Sequence, residues 1–179
     1  MPISKLIFAI AAGLAAATSS TAAQPGATPV PSALSALQGC WRGVGEVGKK
    51  QVVVALASRA ILDGAMVVVD VDSSAAADPK DRYSAHLIFG GADPRPDGDD
   101  IMGFWADSFG GAYTALGRGK SRPDGFEITY LYPGDAFVNR WTLSGEQLKW
   151  SIVERAGQQA EKVFASYALK KAPCNPASS

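Results

Sequence analysis

The chain has 179 residues, 47% of them hydrophobic, and its 17 basic and 17 acidic residues give a net charge of zero. The charges are scattered along the sequence, which excludes a strongly basic surface for nucleic acid or for an anionic membrane. About 150 residues remain after the amino-terminal segment described next, enough for one domain with a real core.

The first 23 residues have the features of a secretory signal peptide. Lys5 gives the positive start, Leu6–Ala17 is apolar, and Thr21–Ala23 offers small residues for cleavage. The apolar stretch is short for a membrane span, and an uncleaved anchor is the alternative. We therefore predict an exported protein, periplasmic or secreted, with no membrane contact after cleavage. The predicted parts are a disordered leader over 24–33, a β-barrel domain over 34–174 and a flexible tail over 175–179.

The segment Leu37–Val47 has the pattern of the first strand of a curved sheet. Because alternate side chains of a strand point to opposite faces, one face of this strand carries a large ring and several glycines. Such a face suits the concave side of a barrel that receives the indole. A helical turn over Ser32–Gln38 is the one helix that we predict. The concave face consists of Gly39, Trp41, Gly43, Gly45 and Val47.

Nine further segments have the composition of strands and are separated by turn residues. Consecutive short turns favour an all-β, antiparallel up-and-down barrel of about ten strands, with at most a short helical turn before the first. An immunoglobulin-like sandwich is the alternative, but its crossings need longer connections. Longer polar connections are predicted at Ser73–Arg82 and Gly90–Asp100. The strand segments are Val52–Ala57, Ala65–Val71, Tyr83–Phe89, Ile101–Asp107, Ala112–Lys120, Phe126–Tyr132, Ala136–Leu143, Gln147–Glu154 and Lys162–Lys170.

The two cysteines lie at opposite ends of the predicted barrel, Cys40 in the first strand and Cys174 just after the last. An even number of cysteines in an exported protein favours a disulfide. An up-and-down barrel pairs its first and last strands, which would bring these residues together. The alternative is two free or buried thiols.

The residues Gly39-Cys40-Trp41, followed by Gly43 and Gly45, are similar to the G-x-W-x-G-x-G opening of nitrobindin-like and lipocalin-like (calycin) barrels. Trp105–Ser108 and Gly117–Gly119 are similar to segments of related exported bacterial domains of unknown function. The resemblance covers roughly 34 to 170 and implies a ten-stranded barrel with an interior cavity. In lipocalins a late arginine packs over this indole, and the resemblance implies such a role for Arg155, Lys170 or Lys171.

The same resemblance bears on the cofactor. Nitrobindin-like proteins of known chemistry bind heme through a histidine on a late strand, whereas this chain has no histidine after His86. Tyr167 and Lys170 stand near the corresponding region and do not match that histidine. We therefore predict no cofactor, with heme ligated by His86 as the alternative.

The function predicted from the sequence is the binding of a small apolar or amphipathic ligand inside the barrel. Inward glycines and alanines, such as Gly43, Gly45, Ala115 and Gly117, favour some open volume. The alternative is a structural or interaction barrel whose aromatic residues fill the core. Arginines near a mouth, including Arg42, would orient a polar end. The candidate ligand-binding residues are Trp41, His86, Trp105, Tyr113, Tyr130, Phe137, Trp141, Arg118 and Arg140, with Trp150 in the same aromatic set.

Other chemistry has less support in the sequence. A lone histidine beside Ser84 and Ile88 is typical of a wall residue and builds no zinc site. The acidic loop containing Asp93, Asp97, Asp99 and Asp100 lacks the spacing of a calcium loop, so a solvated loop is predicted. Ser108 lies at an ordinary turn without a nucleophile elbow. No catalytic residue and no metal site are therefore predicted.

Overall fold

The computed structural model describes residues 25–157 and 160–174, which form a closed barrel of ten antiparallel strands. A short helix, α1 (Ser32–Ala36), precedes the barrel, and Gly111–Tyr113 forms a 3₁₀ turn. The predicted fold class is confirmed, whereas the predicted signal peptide and tail lie outside the described residues. The strands are β1 (Gly39–Val47), β2 (Lys50–Ile61), β3 (Met66–Ala75), β4 (Arg82–Gly91), β5 (Asp100–Asp107), β6 (Ala115–Arg122), β7 (Gly125–Tyr132), β8 (Asp135–Ser144), β9 (Gln147–Arg155) and β10 (Lys162–Ala172).

The barrel closes where the first strand meets the last. Every strand pairs with its neighbours in sequence, and β1 also pairs with β10. In that ladder Trp41 lies opposite Lys171, and Gly45 lies opposite Tyr167. Cys40 and Cys174 form a disulfide at the same junction, with their Cα atoms 5.2 Å apart. The predicted cysteine pairing is thus confirmed. Within the described ranges, no helix is both long and apolar enough to cross a membrane.

One end of the barrel, called the closed end below, is covered by α1. Leu34 and Leu37 are fully buried there. The Trp41 indole Nε1 donates a hydrogen bond to the Leu37 carbonyl at 2.8 Å. The Lys171 ammonium lies over the face of the Trp41 indole, 4.2 Å from the ring centroid, and makes an attractive cation–π contact. Of the three cations that the resemblance offered, Lys171 occupies this position.

Aromatic rings stack across the middle of the barrel. The Trp150 ring lies between those of Trp141 and Tyr167, with centroid distances of 4.4 and 4.5 Å. Trp105 packs edge-on against Tyr130 at 5.4 Å. The Trp150 Nε1 donates to the buried Asn139 Oδ1 at 2.9 Å, so its polar atom is satisfied without water. Burying these rings removes a large apolar surface from water and stabilises the closed sheet.

The inward glycines make room for these rings, whereas the sequence favoured open volume beside them. A Cβ on Gly45 would lie 2.4 Å from Tyr167 Cδ1. On Gly117 it would lie 2.7 Å from Tyr130 Cε1, and on Gly103 it would lie 2.3 Å from Ile128 Cδ1. These distances are shorter than any normal carbon–carbon contact, so each missing side chain is replaced by a group from another strand, the adjacent one for Gly45 and Gly117 and the second one along for Gly103.

The Tyr130 hydroxyl is a weak point of this core. It is buried and has no hydrogen-bond partner among the described residues, and burial raises its pKa. An unpaired buried hydroxyl costs free energy because it has lost its water. We therefore expect Tyr130→Phe to raise the free energy of unfolding by about 1 kcal/mol, measured by urea denaturation. The control is Tyr132→Phe, whose hydroxyl donates to the Tyr113 carbonyl and should not stabilise when lost. A clear destabilisation by Tyr130→Phe would contradict the expectation.

Several local boundaries were predicted wrongly. The segment Ala112–Lys120 was predicted as one strand, but Gly111–Tyr113 forms a 3₁₀ turn and β6 begins only at Ala115. Tyr113 therefore lies in the 3₁₀ turn and is exposed, not on the inward face. The connection predicted over Ser73–Arg82 is shorter, because both of its ends continue the β3–β4 ladder.

Candidate functional site

The other end of the barrel, called the open end below, carries aromatic rings that reach solvent. Strand alternation turns Tyr83, Tyr132 and Phe137 inward close to the strand ends. Phe109 and Tyr113 lie on the β5–β6 connection and are 70% and 53% exposed. We call the set of six the open-end rings: Tyr83, Phe109, Tyr113, Tyr132, Phe137 and Phe164.

The open-end rings form an arc of successive contacts. Phe109 packs against Tyr83 at 5.7 Å and against Tyr113 at 5.9 Å between ring centroids. Phe137 packs edge-on against Tyr132 at 5.6 Å and against Phe164 at 5.3 Å. The Tyr132 hydroxyl donates to the Tyr113 carbonyl at 3.0 Å and joins the two groups. The arc thus runs from β4 to the start of β10.

Asp107, the last residue of β5, is a half-buried carboxylate beside these rings. Its Oδ2 accepts hydrogen bonds from the Trp105 Nε1 at 2.9 Å and from the Tyr83 hydroxyl at 3.2 Å. Its Oδ1 accepts one from the Phe109 backbone N–H at 2.9 Å. These three donors fix the carboxylate and orient the base of the β5–β6 connection. Among the described residues, no basic side chain forms an ion pair with Asp107.

The tyrosine hydroxyls at this end are neutral donors at physiological pH. Burial, helped by the charge of Asp107, holds the pKa of Tyr83 well above its usual value. The pKa of Tyr132 is also raised, first by burial and then by Asp107. Burial raises the pKa of Tyr167 to about 12. The negative charge of Asp107 therefore acts on both Tyr83 and Tyr132, on two sides of the opening.

Two depressions lie near the open end. One, of about 680 Å³, lies between the β1–β2 turn and the β3–β4 connection and is lined by Val47, Lys49, Lys50, Gln51, Ala76 and Ala77. The second, of about 390 Å³, follows the outer face of β3–β5 and ends at Asp107 and Ser108. Both depressions are open to solvent, so they lie on the outside of the barrel and at its open end.

The candidate residues taken from the sequence fall into three groups in space. Trp41 is buried at the closed end, and Trp105, Tyr130 and Trp141 are buried in the middle of the barrel. A second group, Tyr113 and Phe137, belongs to the open end. The third group has outward-facing side chains, because each alternates with inward neighbours on its strand. This group consists of His86, Arg118, Arg140 and Arg42, which the sequence had placed near a mouth.

Several open-end residues were missed in the sequence. The sequence placed Asp107 only at the end of the predicted strand Ile101–Asp107, and Phe109 fell between two predicted strands. Tyr132 and Phe164 drew no attention. The signal that could have found them is an inward aromatic residue close to the end of a strand. That signal needs the strand ends to be known to within one residue.

His86 lies outside the barrel. Its side chain is 64% exposed, and its Nδ1 lies next to a carboxylate oxygen of Asp70 across the β3–β4 ladder. It is the chain's one histidine. An imidazole on the outer face cannot ligate a group held inside, and stacked rings occupy the middle of the barrel. The residues therefore do not fit a heme that is held inside the barrel by His86.

The acidic loop is neutralised by basic side chains. Asp93, Asp99 and Asp100 have carboxylate oxygens within 4.8 Å of one another. Arg95 forms an ion pair with Asp93 and holds the pKa of that carboxyl down at about 2. Lys120 binds Asp99 at 3.0 Å and Asp100 at 2.8 Å. The cations that this cluster needs are supplied by the chain itself.

Arg140 belongs to a network on the outer face. Its guanidinium binds Glu127 at 2.7 Å and Glu161 at 2.8 Å, and Arg155 also binds Glu161. The two arginines hold the pKa of Glu161 down at about 2. The network ties the start of β10 to β7, β8 and β9, so Arg140 has a structural role here.

This network predicts an acid dependence of stability. A carboxyl whose pKa is lowered on folding contributes fully above its unfolded value, and the contribution is lost as the pH falls towards 2. We expect Glu161→Gln to lower the urea midpoint at pH 7, and the difference from wild type to narrow between pH 5 and pH 2. A difference that stays constant over this range would contradict the role of the ionised carboxylate.

The comparisons with known proteins bear on the fold. No protein-family model matches this chain, and no curated protein matches it. Among solved structures, the crystal structure of Rv2717c from M. tuberculosis is similar, with a TM-score of 0.62 and 18% sequence identity. The match covers 80% of this chain and 99% of that chain. At this identity the similarity shows a shared barrel fold alone.

Proposed function

We propose that this barrel binds a small amphipathic molecule at its open end. The apolar part of the molecule packs on the open-end rings, and its polar part lies at Asp107 and the neighbouring hydroxyls. The observation that carries the proposal is the arc of rings around the opening, where Phe109 is 70% exposed while the rings deeper in the barrel are buried. Exposed apolar groups in one patch are typical of a binding surface.

The proposal extends to the setting of the protein. The Cys40–Cys174 disulfide is compatible with an oxidising compartment, and we propose that the signal peptide over 1–23 directs export to the periplasm or beyond. We also propose a distant relation to nitrobindin-like and lipocalin-like barrels, supported by the Trp41–Lys171 contact. The ligand site would then lie above the aromatic stack.

The energetics require a polar contact as well as the rings. Covering the exposed parts of three rings removes roughly 200 Å² of apolar surface, which contributes about 5 kcal/mol at about 25 cal/mol per Å². Association costs about 4–15 kcal/mol in lost freedom of motion. Contact with the rings alone therefore gives weak binding, and an oriented polar group is needed to raise the affinity.

A second function is favoured by the filled middle of the barrel. The stacked rings of Trp141, Trp150 and Tyr167 leave the sheet stable without any ligand. Under this alternative, the barrel is a scaffold whose exposed open-end rings contact another protein. It predicts no uptake of small apolar molecules.

The test is a titration of the disulfide-bonded protein with Nile red, a neutral dye that fluoresces in apolar surroundings. We expect saturable binding to the wild type and a loss of most of it in Phe109→Ala. The matched control is Leu62→Ala, because Leu62 is 67% exposed in the β2–β3 turn at the closed end, away from the open-end rings. Equal binding by both variants would contradict the location of the site. No binding by the wild type would favour the scaffold.

A further inference from the structure

We propose that the polar end of the ligand is an alkylated ammonium group that pairs with Asp107 among the open-end rings. This inference depends on the proposed function and adds the chemical class of the ligand. Its basis is the combination of an un-neutralised carboxylate with several aromatic faces at one opening.

The hydrogen bonds of Asp107 leave room for a further partner. A carboxylate accepts about four hydrogen bonds, and Asp107 receives three, from Tyr83, Trp105 and the Phe109 backbone. All three donors are neutral, so they position the group without removing its charge. Its remaining capacity lies on Oδ1, the atom that accepts only the backbone N–H.

Asp107 differs in this respect from several other carboxylates of the barrel. Asp81 pairs with Lys50, Asp93 with Arg95, and Glu161 with both Arg140 and Arg155. Within residues 25–157 and 160–174, Asp107 has no such cation, although it is half-buried. Its charge acts instead on phenols, raising the pKa of Tyr83 and of Tyr132. A cation from outside would meet a carboxylate that forms no ion pair with any described residue.

The rings around Asp107 select the kind of cation. Aromatic faces carry a partial negative charge and attract cations within about 6 Å of the ring centre. An alkylated ammonium ion loses little hydration when it enters such a site, and its methyl groups pack on the rings. The Tyr83 hydroxyl reaches Asp107 directly, the backbone N–H of Phe109 does the same, and the Phe109 ring packs on the Tyr83 ring at 5.7 Å between centroids. Tyr132 continues the arc through its hydrogen bond to the Tyr113 carbonyl. A ligand anion would be repelled by both the carboxylate and the ring faces.

The rival assignment is an anionic ligand held by lysines. Lys49 and Lys50 line the 680 Å³ depression at the same end of the barrel. Lys50 already pairs with Asp81. The two assignments make opposite predictions about the charge of the preferred ligand, so one experiment separates them.

The experiment compares three amphiphiles with the same ten-carbon tail, below their micelle concentrations, by calorimetric titration. The probes are decyltrimethylammonium, neutral decyl maltoside and anionic decyl sulfate. We expect the cation to bind about tenfold more tightly than the neutral probe. Asp107→Asn should remove this preference, so that decyltrimethylammonium and decyl maltoside bind with affinities within about twofold of each other. The matched control is Asp78→Asn, which removes an exposed charge from the β3–β4 connection at the same end and should change nothing.

Two further measurements keep the test decisive if Asp107→Asn folds poorly. Asp107→Glu keeps the charge and should retain the preference for the cation. In the wild type, added salt should weaken binding of decyltrimethylammonium and leave decyl maltoside unaffected, because salt screens charge pairs.

The outcomes separate this inference from the proposed function. Equal affinities for the three probes, unchanged in Asp107→Asn, would overturn the cationic ligand and leave the open-end site. Tightest binding of decyl sulfate, lost in Lys49→Met, would overturn it in favour of the lysines. Failure of all three probes to bind would overturn both proposals.

Discussion

Trp150→Ala is expected to lower the free energy of unfolding by about 3–5 kcal/mol. The ring is 1% exposed and stacks between Trp141 and Tyr167, so its removal opens a cavity that the rigid sheet cannot close. It would also leave the buried Asn139 amide oxygen without its donor. The measurement is denaturation by guanidinium chloride, followed by circular dichroism.

The control for this substitution is Trp150→Phe, which keeps a ring in the stack but loses the hydrogen bond to Asn139. We expect a smaller loss, of about 1–3 kcal/mol. If Trp150→Ala cost less than about 1 kcal/mol, the stack would not be the centre of the core.

Removing the disulfide is expected to lower stability by about 4–5 kcal/mol in the chain-entropy model. Cys40 and Cys174 are 134 residues apart, so the bond closes a loop over nearly the whole domain and lowers the conformational entropy of the unfolded chain. It also joins the ends of β1 and β10, where the barrel closes. The measurement compares wild type with Cys40→Ala/Cys174→Ala, using thermal and chemical unfolding.

The double variant carries its own control, since a reducing agent should destabilise the wild type and leave the variant unchanged. Equal unfolding midpoints for the oxidised and reduced wild type would contradict the contribution of the bond.

Much of the barrel could be predicted from the alternation within single strands. The first strand shows this best, because Trp41 and the glycines of one face indicate the concave side directly. The Cys40–Cys174 pairing follows from closure of an up-and-down sheet. Which cation covers the Trp41 indole depends on the β1–β10 register, which the sequence left open between Arg155, Lys170 and Lys171.

The contents of the barrel could not be predicted in the same way. An inward glycine in the sequence indicates that a side chain is missing from the interior, but not which group of another strand fills that space. The space beside both Gly103 and Gly117 is taken by groups of β7, Ile128 and Tyr130. This depends on strand stagger around the barrel, which alternation does not encode.

The open end was hard to predict for a related reason. Its residues lie at strand ends and in connections, where a shift of one or two positions moves a ring from the wall to the rim. Tyr113 is the example, since the 3₁₀ turn over Gly111–Tyr113 takes it out of the predicted strand. Asp107 stands out as a candidate site residue because Tyr83 on β4 and Trp105 on β5 donate hydrogen bonds to it. The contact with Tyr83 forms only when the two strands pair in the folded chain.

The most direct test of the account is an NMR titration of the disulfide-bonded protein with decyltrimethylammonium, below its micelle concentration. The account predicts saturable shifts at the open end, at Phe109, Tyr132 and Phe164, and unchanged signals from Leu34 and Phe126 at the closed end. Shifts centred on the closed end, or none at any concentration, would contradict an open-end binding site above a packed aromatic core.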